Sequence, residues 1–168
     1  MRAGVITISD KAYRGERVDS GGPLLVRLLR EAGAEVASHT VVPDEVELIA
    51  GELSRLADSG EFDLVITTGG TGIAPRDRTP EATRSILHYE VPGIAEALRF
   101  QGYRNTPTAV LSRGVAGVRG RCLIINLPGN PNAVRDGMET LAPILAHAVQ
   151  MLRGENLEHH QKEPRGNG

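Results

Sequence analysis

One cysteine and no tryptophan stand in this chain of 168 residues, and its aromatics stop at three tyrosines and two phenylalanines. A lone thiol closes no intrachain disulfide and builds no cysteine-based zinc cluster. That residue, Cys122, lies in the apolar run Cys122-Leu123-Ile124-Ile125 and reads as a buried small hydrophobe rather than a nucleophile. No apolar run approaches the ~20 residues of a membrane span. The opening segment Met1–Ile8 meets Ser9-Asp10 too soon to form the apolar heart of a signal peptide. A formal net charge of −2, with both signs mixed along the chain, leaves no basic footprint for nucleic acid. The expectation is a cytoplasmic protein with no membrane or nucleic-acid partner. No Ser/Gly- or Pro-rich linker divides the chain, so one domain over 1–154 is expected, followed by a polar tail over 155–168. His159-His160 in that tail lack companion ligands and read as part of a frayed end.

What the chain does have is glycine placed after apolar runs. Residues 63–82, DLVITTGGTGIAPRDRTPEA, are the stretch around which the rest is organised. Leu64-Val65-Ile66 reads as a buried parallel strand. Gly69, Gly70 and Gly72 follow at its carboxyl end, where backbone without Cβ allows a ligand to lie against main-chain N–H groups. Thr79-Pro80-Glu81 then reads as a helix start, with Thr79 as N-cap. Strand, glycine loop and helix N-terminus in that order make an anion cradle, although the spacing matches neither the dinucleotide fingerprint nor the Walker loop. Asp77, Thr71 and Thr79 beside the loop add the carboxylate and hydroxyls that a Mg²⁺–phosphate complex requires.

The remaining chain repeats the alternation. Ala3–Ile8 reads as a first strand, residues 11–22 as a polar loop, and residues 23–33 as a helix with leucines at helical spacing. Val36–Val42 reads as a strand, and Pro43-Asp44-Glu45 as the opening of a helix that Asp44 caps. After Val91-Pro92-Gly93, a break, a helix runs from Ile94 towards Tyr103. Thr108–Leu111 and Arg121–Leu127 read as two further strands. Asn130-Pro131 opens a final helix whose apolar stripe includes Val134, Met138, Leu141, Ile144 and Leu145, with Pro143 expected to kink or restart it. His39, His88 and His147 have no partner that the sequence assigns. Alternating elements predict an α/β fold, and in such a sheet ligands sit beyond the carboxyl ends of the strands. Ser9-Asp10, Asp44, the loop from Gly69 to Asp77, Ser112-Arg113 and Pro128–Pro131 all fall there.

Four segments together, TTGGTG at 67–72, PRDRTPEA at 75–82, LSRG at 111–114 and LPGNPNAV at 127–134, resemble the MoaB/Mog family of molybdenum cofactor biosynthesis proteins. The resemblance covers the chain to about Gly154 and is strongest to single-domain molybdopterin adenylyltransferases, with similarity to the matching domain of gephyrin. It implies a three-layer α/β/α sandwich with a mostly parallel central sheet. It implies that the terminal phosphate of molybdopterin attacks the α-phosphorus of ATP, with Mg²⁺ as cofactor and pyrophosphate as leaving group. Asp44 and Asp77 are then the catalytic pair and the Mg²⁺ ligands. Ser9, Asp10, Gly69, Gly70, Thr71 and Gly72 contact nucleotide or pterin phosphate, Ser112 and Arg113 lie by the pterin, and Pro128, Gly129, Asn130 and Pro131 close the opposite wall. The family further implies a homotrimer, with Ile94–Phe100 or the Pro107 region as contact surface, and hand-over of product to a MoeA-type molybdenum insertase. Each residue also has an architectural reading: Asp44 as a cap, Asp77 as an ion pair with its flanking arginines, Ser112 as a strand end, Arg113 as an interface residue. The alternative function is a non-catalytic molybdopterin carrier or scaffold of the MoaB type.

Overall fold

The computed structural model describes residues 1–155, so the expected tail beyond Glu155, with His159 and His160, lies outside the described residues. Strand β1 (Arg2–Ile8) leads through a one-turn helix α1 (Asp10–Tyr13) to α2 (Gly21–Glu31), and β2 (Glu35–Val42) leads to α3 (Val46–Asp58). Strand β3 (Leu64–Thr68) precedes α4 (Thr79–Ile86), β4 (Tyr89–Glu90) and α5 (Pro92–Asn105). A 3-10 turn (Pro107–Leu111), β5 (Ala116–Arg119), β6 (Cys122–Leu127) and α6 (Pro131–Arg153) complete the chain. The six strands form one sheet in the order β2-β1-β3-β6-β5-β4. The first four are mutually parallel, while β5 and β4 are antiparallel additions at one edge.

The parallel strands are buried on both faces because their side chains alternate between two cores. Val5, Ile66, Leu123 and Ile125 pack with Leu25 and Leu29 of α2 and with Met138, Leu141 and Leu145 of α6. Ile6, Val65 and Ile124 point the other way, onto Ile49, Leu53 and Leu56 of α3 and Ala82 of α4. The result is the expected three-layer α/β/α sandwich.

Several local expectations need correction. Thr108–Leu111 is not a strand: it forms most of the 3-10 turn, which Pro107 opens and the Ala109 N–H closes on the Thr106 carbonyl at 2.9 Å. The sheet partner of β6 is instead Ala116–Arg119, joined to it by Gly120 at φ 59° and Arg121. Val91-Pro92 is not a break but a helix start, with Pro92 at the first helical position of α5. Helix α2 begins at Gly21, two residues ahead of Pro23, and α1 occupies part of the expected loop. Helix α6 runs through Pro143 without restarting: Pro143 and Glu139 are both exposed, so the Glu139 carbonyl that loses its helical donor lies on the solvent side, where the loss costs least. Ile144 is exposed and off the buried stripe. Cys122 is buried, and burial pushes its thiol up to about 12.

Candidate functional site

A cavity of about 770 Å³ opens at the carboxyl ends of the parallel strands. Its floor is the glycine loop after β3, and the hydrogen bonds of that loop decide what it presents. The Gly69 carbonyl accepts from Thr79 Oγ1 at 2.9 Å, and the Gly70 carbonyl accepts from the Thr79 N–H at 3.1 Å. The Thr71 carbonyl accepts from the Arg113 N–H at 2.7 Å, and the Gly72 carbonyl from Arg113 Nε at 2.8 Å. Four consecutive carbonyls are therefore tied outward, into the protein. A trans peptide sets its N–H opposite its C=O, so the amides paired with the first three of these carbonyls, Gly70, Thr71 and Gly72, turn away from those ties, and all three residues line the cavity. Among the described residues none of these three N–H groups meets a protein acceptor. The Gly69 N–H, by contrast, donates to Leu127 O at 3.0 Å and is architecture rather than ligand surface.

Glycine is required at 69 and 70 for reasons that can be named. Gly69 has φ 105°, and a Cβ there would stand 2.2 Å from the Ile8 carbonyl oxygen. Gly70 has φ 66°, and a Cβ there would stand 2.4 Å from Thr79 Oγ1 and 3.0 Å from Asp44 Oδ1. The second figure also locates Asp44 beside the loop. At the loop's far end Asp77 Oδ2 accepts the Ala74 N–H at 3.0 Å and lies 2.8 Å from where a Cβ on Gly72 would be. Asp44 and Asp77 thus flank the free amides from two sides, and both border the cavity.

Asp44 does not cap α3. Helix α3 has no side-chain cap, and Asp44 Oδ2 instead accepts the Asp10 N–H at 2.9 Å. Burial raises the Asp44 carboxyl above the usual range; the Asp10 amide opposes this, and the negative charges of Asp10 and Asp77 add to the rise. Thr79 likewise caps no helix, since its hydroxyl anchors the glycine loop.

Asp10 and Arg113 stand behind the cavity walls rather than in them. Asp10 is held by Arg76, whose Nε donates to Oδ2 at 2.6 Å and Nη2 to Oδ1 at 3.0 Å, and this pairing holds the Asp10 carboxyl below its usual range. Arg76 Nη2 also reaches Glu45 at 2.9 Å, so one guanidinium joins the loops after β1, β2 and β3. Arg113 pairs with Glu81 in the same chain, and its Nη2 donates to the Asp77 carbonyl at 2.7 Å. It positions the glycine loop.

Ser9, Ser112 and Pro128–Pro131 border the cavity as well. Ser9 Oγ accepts the Ala12 N–H at 3.2 Å, and Ser112 Oγ lies 3.4 Å from Thr71 Oγ1. Asn130 caps α6 by accepting the Asn132 N–H at 2.8 Å, and Pro128 O accepts from Thr68 Oγ1 at 2.9 Å. The N-termini of α2, at Ser20-Gly21, and of α6, at Asn130–Ala133, also open on the cavity and add positive potential.

The donor set bears on whether Mg²⁺ fits. Among the described residues no group of three or more His, Cys, Asp or Glu side chains converges on one point. Two carboxylates beside free amides do suit Mg²⁺, which takes one or two protein carboxylates and completes its shell with phosphate oxygens and water.

Three features were not read from the sequence. Asn126 is 3% exposed beneath the floor; its Nδ2 donates to Thr67 Oγ1 and Thr83 Oγ1, each at 3.0 Å, and its Oδ1 accepts the Val115 N–H at 3.1 Å. Asp19 accepts from Thr7 Oγ1 at 2.6 Å and from the Gly22 N–H at 2.9 Å, with His39 Nε2 at 3.2 Å. His39 therefore has partners, as does His88, whose Nδ1 accepts the Gly120 N–H at 3.1 Å. Third, α5 and the 3-10 turn wall the cavity through Leu98, Arg99 and Ala109. The contacts that join such groups, Thr7 with Asp19 or Thr67 with Asn126, span 12 and 59 residues, a signal that no short motif carries.

A family model described as a probable molybdopterin binding domain matches residues 4–147. The chain is 38% identical to a molybdopterin adenylyltransferase of Helicobacter pylori over 96% of its own length and 93% of the relative's. It is 42% identical to the molybdenum cofactor synthesis protein cinnamon of Drosophila melanogaster over 89% of its length, and spans only 25% of that protein. Among solved structures, a molybdopterin biosynthesis enzyme, MoaB, from Thermus thermophilus superposes with a TM-score of 0.86 at 52% identity, covering 91% of this chain and 96% of that one. With a family match across most of its length and relatives aligned almost end to end, this chain belongs to the MoaB/Mog family, whose shared element is the probable molybdopterin binding domain.

Proposed function

We propose that this protein is a molybdopterin adenylyltransferase, acting in molybdenum cofactor biosynthesis with ATP as co-substrate and Mg²⁺ as cofactor. The observation that carries the reading is the outward tie of four successive carbonyls, which leaves the Gly70, Thr71 and Gly72 amides free between Asp44 and Asp77. The full-length similarity to a protein named for this activity supports it.

A terminal phosphate oxygen of molybdopterin attacks the α-phosphorus of ATP; the bond from that phosphorus to the bridging oxygen breaks, and pyrophosphate leaves with the electron pair. The attacking phosphate is already ionised, so no side chain has to remove a proton from it. The demand is to hold two polyanions together in line. The three amides and the two helix N-termini supply oriented positive dipoles for the phosphoryl oxygens. Asp44 and Asp77 would hold Mg²⁺, which supplies charge neutralisation on the departing pyrophosphate. Arg76, through the Asp10 carboxylate, and Arg113, through the Asp77 backbone carbonyl, fix the loops that carry Asp44 and Asp77 from outside the cavity.

Self-association as a homotrimer belongs to the same reading. Ile94 is buried in the core of the chain, which leaves the outer side of α5 and the 3-10 turn as the contact surface: Phe100 is 67% exposed, and Tyr103 and Val110 are exposed beside it. The product's acceptor would be a MoeA-type insertase.

The experiment is transfer of label from ATP labelled at its α-phosphate, with purified protein, molybdopterin and Mg²⁺. The label is expected in a pterin compound. Tight pterin binding with no transfer would identify the protein as a carrier instead.

A further inference from the structure

Arg76 immediately precedes Asp77 in the chain but does not line the cavity, and neither does its partner Asp10. Its guanidinium meets the Asp10 carboxylate along two bonds, Nε to Oδ2 at 2.6 Å and Nη2 to Oδ1 at 3.0 Å, and Nη2 also reaches Glu45 Oε1 at 2.9 Å. As a tie between loops this contact is one among several. The loops after β1 and β2 are also closed by the exchanged amide–carboxylate bonds of Asp10 and Asp44, and the glycine loop is held by Thr79 and Arg113. The Arg76 side chain is 58% exposed, and an exposed ion pair adds little to stability.

Charge is what the other ties do not supply. Asp44 and Asp77 border the cavity beside the free amides, and Asp10 stands directly behind Asp44. Mg²⁺ takes one or two protein carboxylates along with phosphate oxygens, so a third carboxylate left ionised and unpaired would repel a polyphosphate with nothing to offset it. The neighbouring cations are engaged elsewhere: Arg14 binds Glu16 through Nε and Nη2, and Arg113 binds Glu81. Among the described residues Arg76 is the cation that pairs with Asp10. Its second partner, Glu45, is half-exposed, and water screens its charge.

We propose that Arg76 is the fixed counter-ion of Asp10, a positioning residue that cancels this third carboxylate and so confines the acidic charge beside the free amides to Asp44 and Asp77. The role rests on the reading that the cavity takes a magnesium-bound polyphosphate. It goes beyond that reading by giving Arg76 an electrostatic task, carried out through Asp10, in addition to its part in joining the loops.

The test measures the affinity of magnesium pyrophosphate by calorimetry at about 50 mM and about 500 mM salt, for the unaltered protein, R76M, R76K, D10N and the double variant R76M/D10N. R76M keeps the length of the side chain and removes its charge, and at low salt it should bind about fivefold or more weakly, the scale of one uncompensated charge acting through partly hydrated protein. R76K should stay within about twofold of the unaltered protein, because an ammonium group supplies the charge without the fork. The double variant should also return to within about twofold, since removing the Asp10 charge leaves nothing to cancel, and its Asn keeps an acceptor for the Asp44 amide. D10N alone should bind at least as tightly as the unaltered protein. The R76M deficit should shrink at high salt. A role in geometry alone gives the opposite pattern: R76K as weak as R76M, no recovery in the double variant, weaker binding in D10N, and a deficit that salt does not change. Any of these, or R76M binding like the unaltered protein, overturns the assignment, and R76K with D10N decides it even if R76M does not fold. Tight binding by the unaltered protein with the geometric pattern overturns the role of Arg76 alone, whereas an unaltered protein that binds no magnesium pyrophosphate overturns the polyphosphate reading with it.

Discussion

The amide of Asp10 donates to Asp44 Oδ2 at 2.9 Å, and the amide of Asp44 returns the bond to Asp10 Oδ1 at 3.0 Å. The two residues close the loops after β1 and β2 against each other, so the Asp44 carboxylate is held by a backbone donor while its other oxygen faces Gly70. One member of the pair is neutralised by Arg76 and the other is not. That asymmetry separates a structural carboxylate from a chemical one.

Asp44 should therefore be dispensable for stability and required for activity. Its folded carboxyl is raised, so the folded chain holds that proton to higher pH than the unfolded chain. Stability falls as pH rises from the unfolded value through the raised folded value, and above both the ionised group is a standing cost. Asn at 44 keeps an acceptor for the Asp10 amide and removes the charge. D44N should show an unchanged or higher melting temperature at neutral pH, with pyrophosphate release reduced at least ~100-fold. In the unaltered enzyme the acid limb of kcat/KM should stand above the ordinary Asp range, and the limb of kcat should lie lower, because a bound cation favours the ionised form. Loss of stability parallel to the loss of rate in D44N would make Asp44 a structural link instead.

Arg113 should matter to phosphate binding although it does not touch the cavity. Its guanidinium holds the Gly72 and Asp77 carbonyls, at the end of the loop that carries the three free amides, and its removal lets that end of the loop shift while the backbone bond to the Thr71 carbonyl stays. R113A should weaken pyrophosphate binding about tenfold or more by calorimetry, the scale of one or two lost charge-assisted hydrogen bonds. R113K should recover little, because an ammonium group lacks the planar fork. Unchanged affinity in R113A would mean the loop holds its shape unaided.

Much of the fold was legible because the parallel strands are continuous apolar runs ended by glycine or proline. Leu64–Ile66 before the glycines and Cys122–Leu127 before Pro128 are of this kind, and both are central strands. The antiparallel edge was not legible. Strand β4 has two residues, and β5 reads Ala-Gly-Val-Arg, with too little side chain to show a period, whereas β-branched Thr108 and Val110 imitated a strand inside a 3-10 turn. At the site, the side chains offered by the loops were readable from position beyond the strand ends. What Asp10 and Arg113 hold was not, since their partners lie 66 and 32 residues away and depend on how the loops fold over one another.

Asn126 belongs to that illegible part, and it should carry stability rather than chemistry. It satisfies the Val115 N–H and two threonine hydroxyls in a buried site, and the buried side chains of the described residues leave no polar atom unpaired. N126A strands the Val115 N–H and should cost about 1–3 kcal/mol in denaturant unfolding. A cost below ~0.5 kcal/mol, the scale of an ordinary surface substitution, would show that the network relaxes or hydrates freely.

Asp77 offers the most direct measurement, because its side chain touches the free amides' rim while its backbone is held independently by Arg113. Molybdopterin binding and pyrophosphate release from MgATP should be measured on one preparation of D77N beside the unaltered protein. A role for Asp77 in holding Mg²⁺ on the departing pyrophosphate predicts molybdopterin affinity within about threefold and release slower by at least ~100-fold, the signature of a group that acts on the transition state rather than on ground-state binding. Release by D77N at the unaltered rate would contradict it.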